Sequence, residues 1–433
     1  MNFWDKKIET MSGDEMAALQ SERLVKMIDN VYRNVPHYRA KMDEKGIKPE
    51  DIKSIEDLPK LPFTKKDDLR DTYPYGMFAR PIRDITRIHA SSGTTGKQTV
   101  VGYTKNDIDM WAECVARELI SIGFTKEDIL QVSYGYGLFT GGLGLHYGGE
   151  KSGVAVIPMS SGNTKRQIQN MVDFGSTGLC CTPSYALFLA DELLANGITP
   201  KDTKMKFGVF GAEPWSEEMR NNIQEKMGII ACDIYGLSEV MGPGVSCECS
   251  CRKGMHIQED NFIAEIIDPI TEKVLPPGTP GEIVFTTITK EGLPLVRYRT
   301  RDLTYIIDEK CECGRTLARM ARITGRTDDM LIIRGVNVFP SQIETVLLKI
   351  NETAPHYMIY VDRVGGLDVM EVHVEINEFI FHDEVRKIET LEKKISSELQ
   401  SVLGISAKIK LVEPRSLPRS EGKAKRVIDN RKL

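Results

Sequence analysis

The chain opens in a helical rhythm. Ser12-Gly13-Asp14-Glu15 spells a capping box, and Met16, Leu19, Leu24, Ile28 and Val31 follow at roughly helical spacing. Residues 1 to about 45 are therefore expected to form small packed helices. From about residue 80 to 300, short apolar runs alternate with helical stretches. Gly178-Leu179-Cys180-Cys181 leads into Tyr185-Ala186-Leu187-Phe188-Leu189-Ala190, and Phe207-Gly208-Val209-Phe210 stops at Gly211. Such runs read as strands of an α/β layer. Residues 262–287 and 295–308 read more like strands and hairpins, with Pro276-Pro277-Gly278 marking a turn.

Past Gly325-Arg326 the pattern changes again. Met358-Ile359-Tyr360-Val361 is strand-like, Val369 to Glu375 alternates, an amphipathic helix falls near 383–401, and Ile405 to Val412 is strand-like. A compact α+β domain of about 100 residues fits this stretch. The expected division is an α/β domain over residues 1–327, with mixed sheets, flanking helices and a helical subregion at 1–75, joined by a hinge to a small α+β domain at 328–433. No internal repeat or low-complexity tract is evident.

The 433 residues suggest roughly two to three domains on length alone. With 41% hydrophobic and 27% charged residues the composition is that of a globular protein, and a net charge of -5 gives no general pull toward nucleic acid or anionic membrane. The opening residues MNFWDKKIETMSGDEM contain no continuous apolar run, and no segment approaches the roughly 18 uncharged apolar residues of a membrane span. A cytoplasmic location is expected. Among nine cysteines, Cys114, Cys180, Cys181 and Cys232 lie in apolar surroundings and read as small core residues. Cys247, Cys249, Cys251, Cys311 and Cys313 cluster in polar ones, which argues against a secreted disulfide framework.

The sharpest local signal is SSGTTGK at 91–97, a loop suited to phosphate. Gly93 and Gly96 let backbone N–H groups converge on a polyanion, Ser91, Ser92, Thr94 and Thr95 add hydroxyl donors, and Lys97 adds a point charge. It is not a Walker A loop: Ser91 stands where the first glycine belongs and Gln98 where the metal-binding hydroxyl belongs.

SSGTTGK, GAEPW at 211–215, DIYGLSE at 233–239, YRTRDL at 298–303, GRTDD at 325–329 and SEGKAKR at 420–426 follow one another in order. That ordered set resembles the adenylate-forming enzymes, the superfamily of acyl-CoA synthetases, luciferases and adenylation domains. The short length, YGYGLFTGGLGLHYGGE at 134–150, RIHASSGTTGK and LPRSEGKAKRVIDNR are similar to the phenylacetate–CoA ligase family within it. The resemblance spans nearly the whole chain. It implies ATP-dependent ligation of an aryl acid such as phenylacetate to coenzyme A through an acyl-adenylate, releasing pyrophosphate and AMP.

Residue by residue, the resemblance implies that the 91–97 loop holds the β- and γ-phosphates of ATP and that Glu239 is a ligand to Mg2+. Gly211, Ala212, Glu213 and Pro214 on one side, and Asp233, Tyr235 and Gly236 on the other, would form the adenine slot. Asp302 would accept hydrogen bonds from the ribose hydroxyls, and Arg326 would approach the ribose or phosphates. Lys423 would bridge the attacking carboxylate and the α-phosphate, supplying charge where it builds. Asp328 is the implied hinge, about which the second domain rotates between half-reactions. Tyr134, Tyr136 and Phe139, with Gly141 and Gly142 leaving room, suit a flat aryl ring.

The cysteine cluster stands apart. Cys311-Glu312-Cys313-Gly314 is a knuckle, and Cys247, Cys249 and Cys251 with His256 can supply the rest of a tetrahedral, sulfur-rich zinc site. Similarity to related ligases favours Cys249, His256, Cys311 and Cys313 among these. Four protein ligands would close the site, making the zinc structural. A homodimer is a further expectation of the resemblance. A rival within the superfamily takes another aryl acid, such as indoleacetate, or another acceptor. A rival of a different class, a zinc-containing nucleic-acid-binding protein, lacks the aromatic-plus-basic stripe it needs.

Overall fold

The structure, a computed structural model, describes residues 2–91, 98–327, 331–334, 336–350, 352–364, 367–377, 385–418 and 426–431. Its N-terminal region is helical, with Lys6–Glu9, Gly13–Asn34 and Pro36–Glu44. The Ser12 hydroxyl accepts the Glu15 N–H while the Glu15 carboxylate accepts the Ser12 N–H, closing the capping box. One helix of 22 residues stands where small helices were expected. It ends at Val35 because the residue before Pro36 is pushed out of the α region, and the proline then starts the next helix.

A nine-stranded sheet organises the middle of the chain. Its order is Ile306–Ile307, Arg319–Met320, Met255–Ile257, Gly242–Glu248, Ile230–Leu237, Phe207–Gly211, Gly178–Cys181, Ile129–Val132, Ala155–Ile157. The last five strands named are parallel and the rest antiparallel. The central parallel strands Gly178–Cys181 and Phe207–Gly211 are short, apolar and almost wholly buried, with helices such as Pro183–Ala195 packed on the sheet, as their hydrophobic spelling predicts. Cys114, Cys180, Cys181 and Cys232 are all buried there. An antiparallel sheet of Phe262–Ile267, Gly281–Thr287, Tyr298–Thr304 and Gly325–Arg326 lies beside it. The hairpin strands Arg87–Ser91 and Thr99–Tyr103 pair antiparallel, with Ser91 opposite Thr99.

The C-terminal part has its own core, built from residues between Leu331 and Ala407. A sheet in the order Lys408–Val412, Leu367–Ile376, Thr353–Val364, Val427–Asp429 packs with the helices Pro340–Leu347 and Val385–Leu403. Among the described residues no helix is long and apolar enough to cross a membrane.

Candidate functional site

Three parallel strands, Gly178–Cys181, Phe207–Gly211 and Ile230–Leu237, end at one edge of the nine-stranded sheet, where open α/β sheets receive ligands. The backbone there is crowded. A Cβ on Gly211 would lie 2.0 Å from the Ile234 carbonyl oxygen, and one on Gly236 would lie 1.7 Å from that of Gly242, so neither position tolerates a side chain. Ala212 is held at φ 70, an uncommon left-handed state for alanine, and is exposed. Glu213 turns back, accepting the Ser184 N–H at 2.7 Å at the start of the Pro183–Ala195 helix.

Tyr235, Asp302 and Arg326 are brought together. Tyr235 donates its hydroxyl to Asp302 Oδ2 at 2.6 Å, and Arg326 donates to Asp302 Oδ1 at 3.0 Å. Strand pairing of Asp302 with Arg326 fixes that juxtaposition. The carboxylate is thus oriented from both sides and buried. Asp233 lies deeper, its N–H bonded to Glu248 and its carboxylate 3.7 Å from Arg322. Burial, and then Glu248 beside it, push its carboxyl up to about 7, with Arg322 pulling the other way.

Glu239 is buried, and two lysines that sequence reasoning missed converge on it. Lys66 Nζ lies 3.3 Å from its carboxylate. Lys290, fully buried, donates to the carbonyls of Glu239 at 3.2 Å and Val240 at 2.7 Å. Burial pushes the Lys290 ammonium down to about 7 against the opposing pull of Asp107 and Glu239. Tyr103, over whose ring Lys290 sits at 4.5 Å, donates to the Met241 carbonyl at 2.8 Å. The turn carrying Glu239 is therefore held by its backbone. A lysine closing the β-branched run Thr286-Thr287-Ile288-Thr289 was the available signal for Lys290; Lys66 sits among exposed charges and gave none.

The expected aryl-side residues occupy one neighbourhood. Tyr134 accepts the Gly211 N–H at 3.0 Å and donates to the Gly211 carbonyl at 3.2 Å, tying this segment to the sheet edge. Tyr136 is half-buried, its hydroxyl 3.2 Å from His146 Nδ1. Gly141 packs against the Tyr134 ring, and a Cβ on Gly142 would lie 2.7 Å from the Gly135 carbonyl. Phe139 is 54% exposed, unlike the two tyrosines. Buried His89 joins the hairpin to this segment, its Nδ1 3.0 Å from the Leu138 carbonyl. Ser91 ends the hairpin strand. Ser92, Gly93, Thr94, Thr95, Gly96, Lys97, Asp328 and Lys423 lie outside the described residues.

Away from this edge, Cys249, His256, Cys311 and Cys313 are all buried, with one donor atom from each within 4.8 Å of all the others. Cys249 Sγ is 3.7 Å from Cys311 Sγ, and Cys313 Sγ is 3.3 Å from His256 Nε2. A tetrahedron with metal–sulfur bonds of about 2.3 Å has sulfur–sulfur edges of about 3.8 Å, which the Cys249–Cys311 separation matches. His256 Nδ1 faces the Leu317 carbonyl at 3.2 Å, which turns Nε2 inward. Cys247 points into the main core and Cys251 packs against the cluster's edge, so neither belongs to the four.

The family model described as AMP-binding enzyme matches residues 33–289, and that described as AMP-binding enzyme C-terminal domain matches residues 335–431. A phenylacetate-coenzyme A ligase of Thermus thermophilus is 49% identical over 99% of this chain and 100% of its own length. One from Aromatoleum evansii is 52% identical, covering 98% of this chain and 96% of itself. Among solved structures, 2-hydroxyisobutyryl-CoA ligase is 29% identical, over 99% of this chain and 92% of that one. It superposes with a TM-score of 0.94 in the postadenylation state with 2-HIB-AMP, against 0.74 in the thioesterification state with 2-HIB-AMP and CoA.

Proposed function

The chain belongs to the AMP-binding enzymes and, within them, to the phenylacetate-coenzyme A ligases, and from that premise we propose that it joins phenylacetate to coenzyme A in two steps driven by ATP. In the first, a carboxylate oxygen attacks the α-phosphorus and pyrophosphate leaves. In the second, the CoA sulfur attacks the acyl carbon of the mixed anhydride, AMP leaves carrying that oxygen, and the thiol proton is released.

The observation that carries this reading is the convergence of Gly211–Pro214, Tyr235 with Gly236, the Asp302–Arg326 pair and buried Glu239 on one sheet edge. In this reading Asp302, oriented by Tyr235 and Arg326, accepts the ribose hydroxyls. The peptide groups bared at Gly211 and Ala212, with Glu213 and Pro214, face adenine across from Tyr235 and Gly236, and Asp233 backs the slot. Glu239 fits a cation: its carboxylate is buried and already faces positive charge from Lys66. Bound Mg2+ would neutralise the triphosphate and its departing pyrophosphate. Tyr134, Tyr136, Phe139, Gly141 and Gly142 hold the aryl ring. The 91–97 loop, Lys423 and the Asp328 hinge complete the scheme on the strength of the family resemblance.

The Cys249, His256, Cys311 and Cys313 donor set is that of a structural zinc site, sulfur-rich and closed to substrate. The homodimer is part of the same proposal, checked by light scattering for twice the 48.7 kDa chain mass. So is a cytoplasmic location, where ATP and CoA are supplied.

The substrate is tested by acid-dependent pyrophosphate release over a panel of phenylacetate, indoleacetate, benzoate and short aliphatic acids. Phenylacetate giving the highest kcat/KM, with AMP and thioester appearing only after CoA is added, is the expected outcome. A preference for indoleacetate or an aliphatic acid overturns the substrate, and no acid-dependent release overturns the reaction.

A further inference from the structure

Where the C-terminal part meets the rest of the chain, one arginine is buried in the seam. Arg426 lies just before the strand Val427–Asp429, and its Nη2 donates to the Ser184 hydroxyl at 3.2 Å. The same nitrogen stands 3.6 Å from the Glu344 carboxylate on the helix Pro340–Leu347, and the guanidinium covers the Tyr357 ring at 4.6 Å. Glu344 and Tyr357 belong to the C-terminal core region and Ser184 to the N-terminal one. Ser184 is also the residue whose N–H holds Glu213 in place beside Ala212.

The Ser341 hydroxyl also donates across the seam to the Thr324 carbonyl at 2.6 Å, and two ion pairs among the described residues cross it. Arg415 with Glu192 at 3.8 Å and Lys349 with Glu218 at 4.0 Å are long pairs whose basic partners are mostly exposed, and such pairs contribute little. Arg426 has a side chain only 18% exposed, and Glu344, 7% exposed and on the same side of the seam, holds its guanidinium toward Ser184, so the bond across the seam comes from a buried, oriented charged donor. The tie runs from the C-terminal part to the segment that flanks the proposed adenine slot. Lys423, the proposed lysine of the first step, is three residues before Arg426 in the chain.

We infer that Arg426 is a positioning residue for the first half-reaction: held in place by Glu344 on its own side of the seam, it latches the C-terminal part through Ser184 onto the edge holding Glu213, and the latch opens before CoA attack. The inference rests on the proposed two-step reaction. A guanidinium planar enough to lie on Tyr357 while donating sideways to Ser184 is needed, which a lysine ammonium does not supply. The latch acts on the relative stability of two domain arrangements, so it affects one half-reaction more than the other.

The test measures the half-reactions separately in the full-length protein. ATP–pyrophosphate exchange in the presence of phenylacetate reports the first, and thioester formation from synthetic phenylacetyl-adenylate with CoA reports the second. Arg426→Met is expected to slow exchange on the order of tenfold or more while leaving the second half-reaction within about twofold. Arg426→Lys should restore exchange only partly, and Glu344→Gln should show the same one-sided loss in weaker form. Equal loss in both half-reactions with a lowered melting temperature assigns Arg426 to stability alone and overturns the inference, as does full exchange activity in Arg426→Met. Lys423→Ala run in parallel separates the two failures. If Lys423→Ala loses exchange selectively and Arg426→Met does not, only the latch is wrong. If neither variant separates the half-reactions, the two-step reading of these residues falls and the latch with it.

Discussion

Replacing Lys290 with methionine removes an ammonium that is fully enclosed and donates to the carbonyls of Glu239 and Val240. Two opposing effects follow. The fall of its pKa from 10.5 to about 7 corresponds to about 5 kcal/mol against the charged form in the fold, at 1.36 kcal/mol per decade. Against that, two bonds from a charged donor are worth about 1.5–3 kcal/mol each, and two buried carbonyls are left without them. The sum nearly cancels at neutral pH, so Lys290→Met should change stability by no more than about 2 kcal/mol in either direction. The pH dependence is sharper. Because the folded pKa is depressed, the unfolded chain binds more protons between about pH 7 and 10.5, and wild-type stability rises with pH across that window by up to about 1.4 kcal/mol per unit. Lys290→Met loses that rise. Its functional consequence comes from the turn, which keeps Tyr103 on Met241 but loses both lysine bonds under Glu239. Slack of about 1 Å there should cost on the order of 100-fold in pyrophosphate release and raise the Mg2+ concentration for half-maximal rate. Urea denaturation from pH 7 to 9 and a Mg2+ titration of exchange are the assays. An unchanged Mg2+ requirement, or the same pH slope in both proteins, refutes the reasoning.

Other expectations follow from the same geometry. Asp302→Asn removes the charge that Tyr235 and Arg326 orient, and the KM for ATP should rise about 10- to 100-fold with little change in the KM for the acid. Cys313→Ser should abolish about one equivalent of bound zinc, measured by plasma emission spectrometry, and lower stability by several kcal/mol. Asp68 is affected first by burial, which would raise its pKa, but bonds from His37, Lys41 and the Lys65 N–H outweigh that and hold it well below the ordinary 3.8. A depressed carboxyl contributes stability above its unfolded value and loses it as pH falls. The advantage of wild type over Asp68→Asn in urea should therefore shrink from pH 5 toward pH 3. Asp328→Pro should slow thioester formation from preformed adenylate while sparing exchange, as expected of a frozen hinge.

Much of this architecture was legible because its signals are local. The Ser12–Glu15 capping box and the doubly buried runs Gly178–Cys181 and Phe207–Gly211 are spelled within a few residues. The cysteine group was legible by type and crowding. Choosing among Cys247, Cys249 and Cys251 required the strand pairing that sets His256 beside Arg319 and leaves Cys247 facing the core. What stayed hidden depends on distant pairing. Lys66 and Glu239 are 173 residues apart, Lys290 acts on backbone carbonyls that leave no residue-type signature, and Arg426 reads as one more charge in a basic tail until the fold lays it on Tyr357. The long Gly13–Asn34 helix was underestimated because polar residues interrupt its apolar stripe, while its end was encoded plainly in Pro36.

The central claim is that an acyl-adenylate forms and that AMP departs with an oxygen from the acid. Phenylacetate carrying 18O in both carboxyl positions, turned over with ATP, Mg2+ and CoA, tests it by mass spectrometry of the products. The account predicts AMP heavier by one 18O and unlabelled pyrophosphate. Label recovered in inorganic phosphate, or unlabelled AMP beside labelled thioester, would contradict it.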